Sequence, residues 1–100
     1  MLVTDAEVFQ EILHRYTAID RRDAIKPSFA ALLALVDEVF PVELSDAERA
    51  RDLLLSKRKF SARDAIHIAV MERNGIDRIL TFDAGFDGIS GITRIGEKLQ

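Results

Sequence analysis

One segment of this chain, residues 61–75, restricts the fold more than any other because it reads as a helix with apolar side chains on nearly every side. Its sequence is SARDAIHIAVMERNG, and the apolar positions are Ala62, Ala65, Ile66, Ile68, Ala69, Val70 and Met71. Two polar groups, Asp64 and His67, interrupt this surface. An isolated buried carboxylate is too costly to keep, so Asp64 must cap the helix, pair with another group or bind a cation.

The composition is that of one small globular domain. The chain has 100 residues, of which 48% are apolar and 31% charged, so we expect a single domain over residues 1–100. The absence of cysteine excludes a disulfide framework and a thiolate metal site. The net charge of −3 gives no general attraction to nucleic acid, so such binding would depend on a local basic patch. The candidate patch is Lys57, Arg58, Lys59 and Arg63.

The sequence shows no sign of a membrane segment or of export. No apolar run reaches the roughly 18 residues that suggest a membrane span. The amino terminus also lacks the basic and then apolar layout of a signal peptide. We therefore expect a cytoplasmic protein that does not interact with membranes.

Short apolar strands alternate with longer helices along the chain. We predict strands at residues 2–4, 39–44, 78–82 and 92–95. We predict helices from the Thr4 to Glu7 capping box to about Ala18, from Lys26 to Asp37, from Ser45 to about Leu54, and from Ser61 to a left-handed stop at Asn74-Gly75. Helices between short strands imply crossover connections and a parallel sheet with helices on both faces.

A second acid of interest, Asp83, directly follows the predicted strand at residues 78–82. In parallel α/β sheets ligands gather outside the carboxyl ends of the strands. Thr81 and Asp83 share one side of the strand by its two-residue period, so a hydroxyl and an acid face the same crevice. Asp83 is followed by Ala84-Gly85, however, and could simply be a turn residue.

Three stretches, in their order along the chain, resemble the motifs of one known family. They are FQEILHRY at residues 9–16, ARDAIH at residues 62–67 and TFDAGFD at residues 81–87. The chain resembles PIN-domain ribonucleases, particularly the VapC-like toxins of bacterial and archaeal toxin–antitoxin pairs. The resemblance implies an α/β, PIN-like three-layer domain in which a short, mainly parallel sheet is flanked by helices.

The same resemblance implies a function and a set of site residues. It implies an endoribonuclease that hydrolyses RNA phosphodiester bonds at an acidic Mg²⁺ or Mn²⁺ site, with an antitoxin protein as a possible partner. By carry-over, Glu11, Asp64 and Asp83 are the catalytic residues and the metal ligands. Hard divalent ions take carboxylate oxygens, and such an ion activates an attacking water and neutralises charge at the phosphate.

Each of these residues also has a plain structural interpretation. Asp64 is the third residue after Ser61 and fits a capping box. Glu11 could be a solvated residue that pairs with Arg15, four positions on. His67 lies one turn after Asp64, and we expect it to pack or pair with that acid rather than to act as a ligand. The basic run at residues 57–59 could be solvated or could contact RNA phosphates.

One departure from the family pattern bears on activity. PIN domains open with a strand that ends in an aspartate and lies in the middle of the sheet, whereas the strand at residues 2–4 resembles their second strand. We therefore expect a domain that lacks the first strand and an activity impaired by the missing aspartate. A shortened gene, a late start codon and a trimmed chain remain open as causes. Alternatively Asp5 is that first acid and Asp37-Glu38 the second, which would make the FQEILHRY match a coincidence.

Two rival functions follow from the sequence. The first is a non-catalytic PIN remnant that dimerises or binds an antitoxin. The second is a receiver-like Mg²⁺-binding domain, which would need an early acid pair and a late lysine that are not evident. Strands that lose a shared neighbour expose unpaired backbone, which is a template for association. We therefore expect either that residues 2–4 pair directly with residues 79–82 or that the exposed strand is buried against another copy, and of the two we favour a homo-oligomer.

Overall fold

The computed structural model describes residues 1–56, 59–82 and 92–95, and at residues 82 and 92–95 the description is of the backbone. The elements are β1 (Val3–Asp5), α1 (Ala6–Ala18), a 3₁₀ turn (Arg22–Ala24), α2 (Ile25–Leu35), β2 (Glu38–Phe40), α3 (Leu44–Leu55), α4 (Ala62–Asn74), β3 (Ile79–Phe82) and β4 (Ile92–Ile95). The predicted order of strands and helices is therefore confirmed. Among the described helices, none is both long and apolar enough to cross a membrane.

The first strand pair is parallel, as predicted. β1 pairs with β2 in the register Val3 to Glu38 and Asp5 to Phe40. Asp37 reinforces the start of this ladder in two ways: its carboxylate accepts the Leu2 N–H at 2.8 Å, and its own N–H donates to the Leu2 carbonyl at 2.7 Å. The connection between the two strands runs through α1 and α2, which is the crossover expected for parallel neighbours.

The second strand pair is antiparallel and lies beside the first. β3 pairs with β4 in the register Ile79 to Ile95. The two ladders meet where the Thr4 hydroxyl donates a hydrogen bond to the Leu80 carbonyl at 2.5 Å. Because both groups are buried, this bond ties β1 to β3 in the interior.

Helices cover both faces of the strands, which confirms the three-layer α/β architecture. Neighbouring residues on β3 point to opposite faces. Leu80 packs with α1 and α2, whereas Ile79 packs with Met71 of α4 and with Val3. On the far side of α4, α3 adds a second layer of contacts through Ala50, Leu53, Ala65 and Ile68. The nearly all-round apolar surface of α4 is explained, because this helix is packed between the strands and α3.

Two helix starts differ from the prediction. Asp5 caps α1 by accepting the Val8 N–H at 3.2 Å, so the capping box predicted at Thr4 is wrong. The Thr4 hydroxyl is used by β3 instead. Helix α3 starts at Leu44 with a capping box between Glu43 and Asp46, not at Ser45. The predicted strand at 39–44 is correspondingly shorter and ends at Phe40.

The end of α4 follows the prediction. Gly75 closes the helix in the left-handed conformation, with φ of +65°. A side chain at this position would meet no atom within 4 Å, so the backbone angle rather than space is what favours glycine. The chain then turns directly into β3, and this turn brings the strand against Val3 and Met71.

An ion pair fixes the far end of α4 to the start of α3. The Arg73 guanidinium donates to both oxygens of Asp46, each at 2.9 Å, and to the Pro41 carbonyl at 2.8 Å. Asp46 is 1% exposed. Burial acts to raise the pKa of Asp46, but the hydrogen bonds from Arg73 and from the Glu43 N–H outweigh it and hold that pKa below its usual range.

We predict that Arg73→Met lowers the free energy of unfolding by about 2 kcal/mol, because it leaves the buried Asp46 carboxylate without its charged partner. Urea unfolding monitored by circular dichroism measures the change. Arg51→Met is the matched control, since Arg51 pairs with Asp52 on the surface and its removal should cost less than about 0.5 kcal/mol. Equal losses in the two variants would contradict the structural role of Arg73.

Candidate active site

Three buried ionisable side chains meet between β1, α1 and α4. The His67 ring lies between two carboxylates: its Nδ1 is 2.7 Å from Asp5 Oδ2, and its Nε2 is 2.6 Å from Glu11 Oε1. The residues are 0% (Asp5), 5% (Glu11) and 1% (His67) exposed. We call this group the Asp5–His67–Glu11 chain.

Local structure explains why these three side chains converge. Asp5 ends β1 at its carboxyl end and is also the N-cap of α1, so its carboxylate is fixed by the Val8 N–H. Glu11 belongs to the inward face of α1 and is followed by the core residue Ile12. His67 is on the inward face of α4, one turn after Asp64.

The geometry favours one protonation state of the His67 ring. A carboxylate oxygen is an acceptor, and a neutral imidazole has only one N–H to donate. Two carboxylate partners therefore favour the doubly protonated, positively charged ring. Burial acts to lower the pKa of His67, but the hydrogen bonds and negative charges of Asp5 and Glu11 outweigh it and raise that pKa to about 9.

The two oxygens of the Glu11 carboxylate have different surroundings. Oε1 faces His67 and also lies 3.5 Å from Arg63 Nε. Oε2 is buried and has no hydrogen-bond partner among the described residues. A buried polar atom of this kind is rare in folded proteins and points to a missing ligand, water or ion.

A cavity of about 450 Å³ adjoins Glu11. It is lined by Glu7, Gln10, Glu11, His14 and Arg15 of α1 and by Ala62, Arg63 and Ile66 of α4. Burial, together with the negative charge of Glu11, raises the pKa of Glu7. The cavity thus joins acidic groups with the guanidinium groups of Arg15 and Arg63, a combination suited to a bound cation next to an anionic ligand.

The structure places the three predicted site residues differently. Glu11 is buried at the cavity, so it is not a solvated residue on the flank of α1. Asp64 is half-buried in the first turn of α4, where its N–H donates to the Ser61 hydroxyl at 3.0 Å, and it is not among the cavity-lining residues. Asp83 lies outside the described residues, as do Lys57 and Arg58 of the basic patch.

The expectation for His67 is wrong in one respect. Both of its ring nitrogens face carboxylates other than Asp64, so the predicted pairing with Asp64 is not formed. Its partners lie 62 and 56 positions away in the sequence, which a helical spacing rule cannot detect. Glu7 is absent from the predicted site. Asp5 enters it only in the alternative that makes the FQEILHRY match a coincidence, whereas the structure joins Asp5 and Glu11 through His67. The position of Asp5 at the end of a strand was the available signal, the same one that drew attention to Asp83.

Comparison with known proteins identifies the family. The family model described as PIN domain matches residues 1–92. The chain is 58% identical over 94 residues to the VapC ribonuclease Mb1869c of Mycobacterium bovis and to ribonuclease VapC13 of Mycobacterium tuberculosis, which covers 94% of this chain and 72% of each relative. It is 39% identical over 82 residues to ribonuclease VapC23 of Mycobacterium tuberculosis, which covers 82% of this chain and 64% of that relative.

The match over nearly the whole sequence means that the chain belongs to the PIN-domain family, close to mycobacterial VapC ribonucleases. The resemblance inferred from the three short motifs is therefore confirmed. A comparison with solved structures gave no significant match.

We predict that the protein loses stability as pH rises through about 9. The pKa of His67 is about 9 in the folded chain against an ordinary value of 6.5, so the folded state holds a proton that the unfolded state releases earlier. The resulting stabilisation, of about 3 kcal/mol, is fully present below pH 6.5 and disappears above pH 9.

Urea unfolding at several pH values between 6 and 10 measures this dependence. His67→Gln should abolish most of it, whereas His14→Gln, which changes the exposed histidine, should preserve it. A wild-type free energy of unfolding that stays constant from pH 6 to pH 10 would contradict the charged state of His67.

Proposed function

We propose that this chain is a metal-dependent endoribonuclease of the VapC type, which hydrolyses RNA phosphodiester bonds. The observation that carries the proposal is the Glu11 carboxylate, which is buried at a cavity of about 450 Å³ and has one oxygen without a partner in the part of the chain that the structure describes. The names of its relatives, which are ribonucleases, support the reaction. Family membership supports Mg²⁺ or Mn²⁺ as the cofactor and an antitoxin protein as a partner.

The donor chemistry fits a hard divalent ion. Glu11 Oε2 is the orphaned buried oxygen, and carboxylate oxygens are the ligands that Mg²⁺ and Mn²⁺ take. We propose Glu11, Asp64 and Asp83 as the residues that hold it. When bound, such an ion lowers the pKa of a water molecule and neutralises charge at the phosphate.

The remaining cavity residues have a role that does not depend on the ion. Arg63 and Arg15 place positive charge in the lining of a cavity that also contains Glu7 and Glu11. Guanidinium groups bind phosphate oxygens with two parallel hydrogen bonds, which positions an RNA backbone. Arg63, 3.5 Å from Glu11 and 52% exposed, is free on its outer side to exchange this contact for a phosphate.

A second candidate function is a non-catalytic module that dimerises or binds an antitoxin. The observation in its favour is that, within residues 1–56, 59–82 and 92–95, no group of three acidic or histidine side chains has an arrangement that could hold a metal ion. The cytoplasmic location also remains a prediction.

We predict that Mn²⁺ or Mg²⁺ raises the melting temperature of the chain, because an ion that binds only the folded state stabilises it. The double variant Asp64→Asn, Asp83→Asn should lose this shift. Differential scanning fluorimetry at increasing metal concentration measures it, and equal shifts in wild type and double variant would reject the acidic cluster.

We predict that the protein cleaves single-stranded RNA and that EDTA blocks the cleavage, because the proposed reaction needs a divalent ion. Asp83→Ala should abolish the cleavage while circular dichroism shows an intact fold. Cleavage that survives this substitution would show that the site residues are misassigned.

We also predict self-association. Within the described residues β2 pairs with β1 on one side only, and its residues are exposed or half-buried, so its other edge is unpaired. Unpaired strand edges promote association. Size-exclusion chromatography with light scattering over a dilution series measures the oligomeric state, and a monomer at micromolar concentration would contradict this expectation.

A further inference from the structure

We propose that His67 is a positioning residue that makes Glu11 offer a single oxygen to the cavity, and that it thereby selects Mg²⁺ over Ca²⁺. The inference rests on the proposed function, because it requires a divalent ion at Glu11. Its basis is that the two oxygens of the Glu11 carboxylate have different contacts. Oε1 is held by His67 at 2.6 Å and lies 3.5 Å from Arg63, whereas Oε2 has no partner within residues 1–56, 59–82 and 92–95.

His67 can hold Glu11 because it is itself fixed on its other side. Its Nδ1 lies 2.7 Å from Asp5, and Asp5 is anchored in turn by the Val8 N–H at 3.2 Å. The ring is 1% exposed, and its neighbours Ile68 and Ala65 pack against α3. Rotation of the ring would break two charge-assisted hydrogen bonds inside the protein, where no solvent can replace them.

A fixed Oε1 limits how Glu11 can bind an ion. Ca²⁺ takes six to eight oxygen ligands in a flexible arrangement and often uses both oxygens of one carboxylate. Mg²⁺ requires six ligands in a near-octahedral arrangement and keeps several waters, so one oxygen per carboxylate suffices. Because Oε1 is hydrogen-bonded to His67, the Glu11 carboxylate suits Mg²⁺. It cannot bind Ca²⁺ through both oxygens without losing a buried hydrogen bond.

The test measures ion selectivity rather than activity. Mn²⁺ serves as the probe, and electron paramagnetic resonance measures the concentration of free Mn²⁺ in a titration of the full chain. Competition of Mg²⁺ or Ca²⁺ with bound Mn²⁺ then gives the affinities for Mg²⁺ and for Ca²⁺. The variants are His67→Gln, whose amide cannot bridge two carboxylates as the charged ring does, and Asp5→Asn, which loosens His67 from its far side. Asparagine is a good N-cap, so Asp5→Asn should fold.

We expect His67→Gln to weaken Mn²⁺ and Mg²⁺ binding by about 10- to 100-fold, the usual effect of removing a residue that orients a metal ligand. Ca²⁺ binding should weaken less, because Glu11 regains the use of both oxygens. The preference for Mg²⁺ over Ca²⁺ therefore falls. Asp5→Asn should shift the preference in the same direction by a smaller factor, although Asp5 is not among the cavity-lining residues.

The matched control is Ile68→Val, which trims a buried neighbour of His67 on the α3 side of the helix and should leave both affinities unchanged. Equal weakening of Mg²⁺ and Ca²⁺ in His67→Gln, or no weakening, would overturn the selectivity role while leaving the proposed metal site intact. Failure of the wild type to bind either ion, or unchanged binding in Glu11→Gln, would overturn the metal site and this inference with it.

Discussion

The fold depends on a charged histidine buried between two carboxylates. His67 joins Asp5 at the end of β1 to Glu11 in α1 and belongs to α4, so three elements share one set of hydrogen bonds. An unpaired carboxylate in this interior would be costly, and each of the two acids relies on the same ring. The same hydrogen bonds therefore fix both the packing of α4 against the strands and the orientation of Glu11.

The contact between the β1–β2 pair and the β3–β4 pair, which we call the joint, also depends on α1 and α4. Within the described residues β1 and β3 are connected through the Thr4 hydroxyl and the Leu80 carbonyl, and the apolar contacts on either side come from the helices. Leu80 reaches Val8 and Ile12, whereas Ile79 reaches Met71. The helices thus hold together strands that share little backbone pairing, and the chain of ionic contacts lies next to this joint.

The sequence predicts the features that depend on local pattern and misses those that depend on distant partners. Apolar periodicity and Gly75 define α4, and its all-round apolar surface indicates a helix in the middle of the fold. The capping rule fails at Thr4 because its hydroxyl bonds to a carbonyl 76 positions away. For the same reason the sequence predicts a contact between His67 and its helical neighbour Asp64, because only folding brings Asp5 and Glu11 to the His67 ring.

The charges of the trio explain why an orphaned oxygen can persist. Two carboxylates and one imidazolium carry a net charge of −1, and Arg63, which offsets it, is 52% exposed and screened by solvent. The excess negative charge sits at the cavity, where the charge of Glu11 also helps to raise the pKa of Glu7. A protein selected for stability alone would pair Glu11 Oε2 or replace the residue, because a buried acceptor without a partner costs about 1–3 kcal/mol. Glu11 lines the cavity and its Oε2 has no partner among the residues that the structure describes, which is the physical argument for a cationic ligand at Glu11.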